Sequence, residues 1–548
     1  MDRAFLRRRY LVSFEAHRLP HIFTDVLVIG GGSAGLRAGI EAAQFGQTLL
    51  VSKVQLDESN STYAQGGIAA VLDKADSLES HVSDTLVAGA GLCDEPVVRE
   101  VVREAPQHIE ELLRWGAEFD REGDSLALAR EGGHAARRIV HAHGDATGRE
   151  VIRTLIQKAR RTENLKIFEN CFVLDVLTDP LEGGPGAVCL GALTWHERYG
   201  LQMIWARQTI LASGGAGMLW RETTNPSLAT ADGHAMAFRA GVAMADMEMM
   251  QFHPTTLYIA GASRSLISEA VRGEGAYLID KTGRRFMFDY HPDGELAPRD
   301  VVARGIIAQM AKTGATHASL DVRHIGRDAF SARFPAIYEI LQKFDIDPAT
   351  DLIPVRPAAH YMMGGAHTDL QGRTSLERLL ACGEAACTGL HGANRLGSNS
   401  LIEALIFGRR CGQLAGQALE DVNNKLTVRD LRIFSEPSRR TELDLADIRN
   451  SLRATMWRNV GLARSAERLV ETCEIVDFWC RYVLDKEFHN PTGWEVQNML
   501  TASRVIAECA LQRTETRGAH YREDFPETDP AWRRHQIVRR SQQQLVLC

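Results

Sequence analysis

The chain has 548 residues, 63 of them Lys or Arg and 70 Asp or Glu, for a formal charge of −7 with histidine neutral. At about 100–200 residues per domain this makes roughly three domains, each able to bury a core. A composition of 45% apolar and 24% charged residues is that of an ordinary globular protein. A mildly acidic total disfavours nucleic acid as a partner, because phosphate neutralisation needs a surplus of Lys and Arg. No run approaches the ~18 apolar residues of a membrane span. Ten cysteines are scattered from Cys93 to Cys548 without a C-x-x-C pair. That spacing excludes a clustered metal framework, is too dilute for a disulfide scaffold, and fits a reducing cytoplasm.

In chain order, the basic start (Arg3, Arg7, Arg8 and Arg9) reads as a short tail over 1–23, since no apolar stretch of secretory length follows it. Thr24 to Gly30 is a nearly continuous apolar run of strand length. It feeds a glycine-rich turn, a helix from Arg37 to Phe45 closed by Gly46, and a second strand from Thr48 to Val51, which together make a β-α-β unit. Asp94 to Arg103 carries valines at helical spacing, and Pro106 is expected to open a separate helix that stops at Gly116. Thr147 and Glu150 have capping-box spacing ahead of another helix. Strands are expected around Lys166 to Leu177, Ala187 to Trp195 and Trp205 to Ala212. Between about 246 and 355 short apolar runs alternate with Gly, Pro and charge, as in an inserted α+β domain. From about 425 the pattern is helical.

Gly30-x-Gly32-x-x-Gly35, with Gly31, Ser33 and Ala34 between, lies where a strand meets a helix. The glycines permit a tight turn, and the helix N-terminus faces a pyrophosphate, so this loop is expected to bind a dinucleotide. The acidic residue that would hold a ribose hydroxyl after the second strand is replaced by Ser52-Lys53. Either another group holds the ribose or Asp57 or Glu58 reaches back, and NAD is disfavoured.

Asn60-Ser61-Thr62-Tyr63-Ala64-Gln65-Gly66-Gly67 resembles the flavin-facing loop of the succinate dehydrogenase and fumarate reductase flavoprotein superfamily. Ser80 to Leu86, Arg130 to His134, Gln251 to Pro254, Glu295 to Asp300, His360-Tyr361, His391 to Arg395 and Arg517 to Tyr521 follow in matching order. Within that superfamily the pattern is most similar to the L-aspartate oxidase family, over roughly residues 24 to 526. The resemblance implies an α/β fold in which a Rossmann-like FAD-binding domain is interrupted by an α+β capping domain and followed by a C-terminal helical domain. The implied boundaries are 24–245 and 356–424 for the two parts of the FAD-binding domain, 246–355 for the cap and 425–548 for the helical domain.

Besides the glycine loop, the cofactor positions that match are Lys53, Ser61 to Gly67, Gly214, Gly215, Asp232, Glu384, Ser400 and Leu401. Asn60 occupies the place of the histidine that bonds covalently to FAD in the membrane-complex relatives, so non-covalent FAD is expected. For the substrate the matching residues are His253, Ser268, His360 and Arg395, with Glu131 as the group that selects aspartate over succinate by attracting its ammonium. Arg299 matches the superfamily's proton-transfer arginine, and Arg272 and Glu269 form a relay to it or a structural ion pair. A free guanidinium is a poor base, so the transfer role needs a perturbing environment. His134, His141 and His143 lie close together, but their loop context argues against a metal.

The implied reaction passes hydride from L-aspartate Cα to flavin N5 and gives iminoaspartate, with oxygen or fumarate as the acceptor, in the quinolinate branch of NAD biosynthesis. Quinolinate synthase is the implied partner enzyme. The alternative is a soluble fumarate reductase or succinate dehydrogenase flavoprotein.

Overall fold

The computed structural model describes residues 4–259, 265–421, 424–434, 443–541 and 544–547. Its centre is a seven-stranded sheet in which Thr48–Val51, Leu165–Phe168 and Gly200–Leu211 run parallel with His21–Ile29 in one twisted layer. Leu379–Ala381 joins parallel to the end of Gly200–Leu211. An antiparallel meander of Cys171–Asp179 and Val188–His196 completes the sheet on that side. Strands buried on both faces need continuous apolar runs, and Val26, Leu27, Val28 and Ile29 supply one.

The helix of the β-α-β unit is Ser33–Ala42, beginning four residues earlier than the apolar pattern suggests, because its first turn is the glycine loop itself. Every residue of it is buried. It lies against Asn399–Gln417, whose Gly408 and Gly412 admit the neighbouring backbone: a Cβ at either would come within 2.6 Å of a carbonyl oxygen, of Ala34 and Ala38 respectively. Residues more than 360 positions apart thus make one helix pair under the nucleotide loop.

Two local expectations are corrected. Pro106 does not open a helix but sits inside one continuous helix, Glu95–Arg114. The buried stripe of Val98, Val101, Val102, Ala105, Ile109 and Leu112 continues through it, and that burial outweighs the one backbone bond a proline forfeits. Thr147 is not a cap: the helix begins at Thr147, and its hydroxyl donates instead to Gly66 O at 2.5 Å. Glu150 turns to accept from Glu118 N–H and Arg153.

The stretch expected as an inserted α+β unit forms a four-stranded antiparallel sheet of Met250–Leu257, Ile353–Met362, Ala318–Asp321 and Tyr277–Ile279, packed by Arg299–Thr313. Leu445–Asn459, Ala466–Val483 and Pro491–Gln512 form the late helices. The end of the chain is not helical. Ile537–Ser541 pairs with Met244–Ala245 and turns back through Gln544–Leu547, so the C-terminus joins a sheet whose other strands come from the middle of the chain. From residue 4 onward the basic start is packed against the fold, Arg3 lying outside the described residues. Phe5 and Leu6 are fully buried, and Arg9 donates to Val176 O at 2.8 Å. No helix among the described residues is long and apolar enough to cross a membrane. Of the nine described cysteines, eight are buried and none is disulfide-bonded; Cys548 lies outside the described residues.

Candidate functional site

One long cleft encloses about 1740 Å³ of empty space, its open mouth included, and runs from the glycine loop to the cap sheet. Its lining passes from the backbone of Gly30 to Ala34 at one end to Arg299 and Arg395 at the other, two ends of different chemistry.

At the loop end the wall is backbone. Gly30 has φ 122, and a Cβ there would lie 2.1 Å from Ala212 O. Gly35 does not line the cleft; its missing Cβ leaves room for Gly30 O, 1.9 Å from where that atom would stand, which seats the helix on the strand. Gly214, with φ 77, has open space in front of it. Ser33 and Ser61 share a hydrogen bond of 2.9 Å across the opening. Lys53 Nζ bonds Asp232 Oδ2 at 2.8 Å, Thr230 Oγ1 at 2.9 Å and Glu495 Oε1 at 2.5 Å. Burial opposes the Lys53 charge, but Asp232 and Glu495 outweigh it and hold its pKa above the ordinary value. Glu58 lines the cleft and accepts from Tyr63 OH at 3.0 Å, whereas Asp57 does not reach it.

In the middle, Glu384 accepts from Met362 N–H at 2.9 Å and Asn60 Nδ2 at 3.0 Å. Burial pushes its carboxyl up to about 7. Asn60 Oδ1, Gln65 Oε1, Ser213 Oγ and His253 Nε2 are buried along the cleft wall with no partner among the described residues. Leaving such a group unpaired costs about 1–3 kcal/mol, so a polar ligand along this wall has several waiting contacts.

The cap end is built from charge. Met250–Leu257 pairs with Ile353–Met362 through a bulge after Gln251, and that irregular register places His253 and His360 with ring centroids 5.1 Å apart. Arg299, first residue of its helix, donates from Nε to Glu269 Oε2 at 2.6 Å and from Nη1 to Gln251 Oε1 at 3.2 Å. Gln251 Oε1 also accepts from Arg395 Nε at 3.3 Å, so one amide joins the two guanidiniums. Arg395 further donates to Ser400 Oγ at 2.5 Å and lies 3.3 Å from His360 Nε2. Its guanidinium stacks over the Tyr361 ring at 4.4 Å. Arg272 stands behind, outside the cleft, donating to Glu269 Oε1 at 3.1 Å and to Glu295 O.

Burial and the neighbouring arginines hold His253 and His360 well below the usual histidine range, so both are neutral imidazoles. Burial, with Arg299 adding to it, lowers Arg395 to about 10. Glu269 would rise through burial, but Arg299 and Arg272 outweigh that and keep it below the carboxylate range. Glu131 moves the other way: burial and the nearby Glu269 raise it, against the pull of Arg299. Three guanidiniums thus face two carboxylates of opposite tendency, which suits a dianionic ligand with one cationic group.

The structure brings Glu131, His253, Ser268, Glu269, Arg299, His360 and Arg395 to one end of the cleft, and Gly30 to Ala34, Lys53, Ser61, Tyr63 to Gly67, Gly214, Gly215, Asp232, Glu384, Ser400 and Leu401 to the rest. Thr62, Gly35 and Arg272 stand outside it. The three neighbouring histidines separate, His134 facing Gly397 O at 3.0 Å and His141 paired with Asp120 at 2.6 Å, while His143 is exposed. Sequence reasoning did not give Gln251 or Ser398 a role, although Gln251 opens one of the matching motifs and Ser398 lies two residues before Ser400. Glu495, which fixes Lys53, lies in a helical stretch with no signal to reveal it.

The chain matches a family model described as FAD binding domain over residues 25–401 and one described as Fumarate reductase flavoprotein C-term over 449–547. It is 43% identical to an L-aspartate oxidase of Streptomyces coelicolor over 537 residues, covering 94% of this chain and 92% of that one. It is 40% identical to an L-aspartate oxidase of Yersinia pestis, covering 92% and 96%. Among solved structures it resembles a quinol fumarate reductase FrdA mutant of E. coli, with a TM-score of 0.86, 31% identity, and 96% and 97% of the two chains covered.

Proposed function

We propose a residue-by-residue mechanism for this chain, which belongs to the L-aspartate oxidase family of FAD-dependent oxidoreductases. FAD fits the cleft on the chain's own terms: glycines clear the loop end, and unpaired polar atoms of Asn60, Gln65 and Ser213 line the way to the arginines. When bound, it supplies the two-electron acceptor chemistry that no side chain can. Gly30 to Ala34, Ser61, Lys53 and Asp232 would hold its nucleotide end, and Gln65 to Gly67, Glu384, Ser400 and Leu401 its ring. With Asn60 at the cleft wall, attachment is non-covalent.

The observation that carries the mechanism is the convergence of Arg299, Arg395, His253 and His360 on the space beside Glu131. Arg395 with His360, and His253 with Ser268, hold the two carboxylates of L-aspartate, charge-assisted donors at one end and neutral donors at the other. Glu131, ionised, draws the ammonium and so fixes which face of Cα is presented. Forming iminoaspartate takes a hydride from Cα and one proton from the ammonium, and the Glu131 carboxylate is the base placed to accept that proton. With fumarate as acceptor a proton must accompany the hydride, and Arg299 holds that proton. Glu269, braced by Arg272, restores it through a buried guanidinium–carboxylate–guanidinium line. Iminoaspartate is unstable to water, so a cytoplasmic quinolinate synthase that consumes it is the fitting partner.

The test is anaerobic bleaching of the bound flavin by L-aspartate, followed by reoxidation with oxygen and with fumarate in turn. Bleaching by aspartate and recovery with either acceptor is expected. Bleaching by succinate but not aspartate would overturn the assignment of Glu131. Acid precipitation should leave a colourless pellet; retained yellow would refute non-covalent attachment.

A further inference from the structure

We propose that Ser398 is the positioning residue that sets Glu131 for the substrate's ammonium, and thereby decides how far the cleft prefers an amino dicarboxylate to a plain one. The inference rests on the reading of Glu131 given above. Ser398 lies 267 residues from Glu131, at the turn into Asn399–Gln417. Its hydroxyl donates to Glu131 Oε2 at 2.8 Å and accepts the Gly67 N–H at 3.2 Å, so its single proton is committed to the carboxylate.

The backbone makes the choice of serine informative. Ser398 has φ 60 and ψ 4, the left-handed region that glycine occupies without steric cost. A residue with a side chain persists there only when its surroundings hold it, and here the hydroxyl is what those surroundings use.

Glu131 is flanked by bare backbone on the sides that do not face the cleft. A Cβ on Gly397 would meet Glu131 Oε2 at 2.6 Å, Arg299 Nη2 at 3.0 Å and Glu269 Oε2 at 3.0 Å, and one on Gly66 would meet Glu131 Oε1 at 2.6 Å. The carboxylate is therefore clamped between two bare backbone positions, with Ser398 supplying its hydrogen bond. The charged groups facing it are Glu269, which repels, and Arg299, Arg395 and Arg272, which attract. Removing the hydroxyl leaves an anion with one stabilising donor fewer. Its proton affinity rises, and a protonated Glu131 no longer draws an ammonium.

The experiment compares Ser398→Gly, Ser398→Ala and Glu131→Gln as holoenzymes. Glycine relaxes the backbone while deleting the hydroxyl, so it separates the side chain's role from any folding defect of alanine. Loss of a hydrogen bond to a charged group predicts a fall of about tenfold or more in kcat/KM for L-aspartate. Fumarate reduction by reduced benzyl viologen should change less than about threefold, since it needs no ammonium contact. The acid limb of the aspartate pH profile should move to higher pH. Equal losses in the two reactions, or an unmoved acid limb, would overturn the proposal. If Glu131→Gln itself lowers both reactions alike, the reading of Glu131 fails first. If Glu131→Gln is selective for aspartate and Ser398→Gly is not, the role of Ser398 alone fails.

Discussion

At the glycine loop the cleft is shaped by side chains that are missing, whereas at the cap end each wall is a charged side chain held by another. Gly30 and Gly35 would each place a Cβ about 2 Å from a backbone carbonyl oxygen, so geometry there is set by hard contact. Arg299, Gln251, Arg395 and Glu269 hold one another through directional bonds of 2.6 to 3.3 Å, so geometry there is set by electrostatic balance. The first kind of wall cannot adjust and suits a ligand that stays. The second responds to charge and suits a ligand that enters and leaves with each turnover.

The largest expected effect breaks the rigid end. Gly35→Ala forces a methyl against Gly30 O and should abolish FAD uptake, read as loss of the yellow absorbance and a lowered Tm with no activity to measure. Should the variant bind FAD normally, the distinction between the two ends collapses. Next comes Arg299→Lys, which keeps the charge but loses the fork to Glu269 and Gln251 at once. Turnover should fall about a hundred- to ten-thousand-fold while flavin content is unchanged, the range lost with a general acid or base. Loss of flavin instead would mean that the charged end also carries the scaffold.

The smallest effect lies outside the cleft and tests whether charge balance also fastens the chain end. His535 bonds Asp246 at 2.5 Å and Asp94 at 3.4 Å, and those two contacts push it up to about 10. A histidine raised from an ordinary 6.5 contributes its full stabilisation below that pH and loses it as pH climbs through about 10. The melting temperature should therefore fall between pH 6.5 and 10.5 by about 2–4 °C more than in His535→Gln, given the size scaling of such shifts. Identical pH curves for the two proteins would show that the clasp contributes nothing.

The glycine loop was legible because its chemistry is contiguous: a strand, a turn that needs small residues and a helix start within a dozen positions. Arg299 and Arg395 were legible only within ordered motifs, since a lone arginine carries no such message. Pro106 misled because helix breaking is a local rule, while the buried stripe of Glu95–Arg114 answers to the core it faces. Thr147 misled for the same reason, its hydroxyl spent on Gly66 O rather than on its own helix.

By itself the sequence determined a dinucleotide loop, the β-α-β unit around it and a set of cationic motifs in order, because each depends on residues near one another in the chain. Tertiary structure alone decided that Ser398 holds Glu131, that Gln251 ties two arginines together and that Ile537–Ser541 returns to pair with Met244–Ala245. Those pairings span tens to hundreds of residues, and a hydrogen bond or strand pair at that separation leaves no periodicity or spacing in the sequence to read.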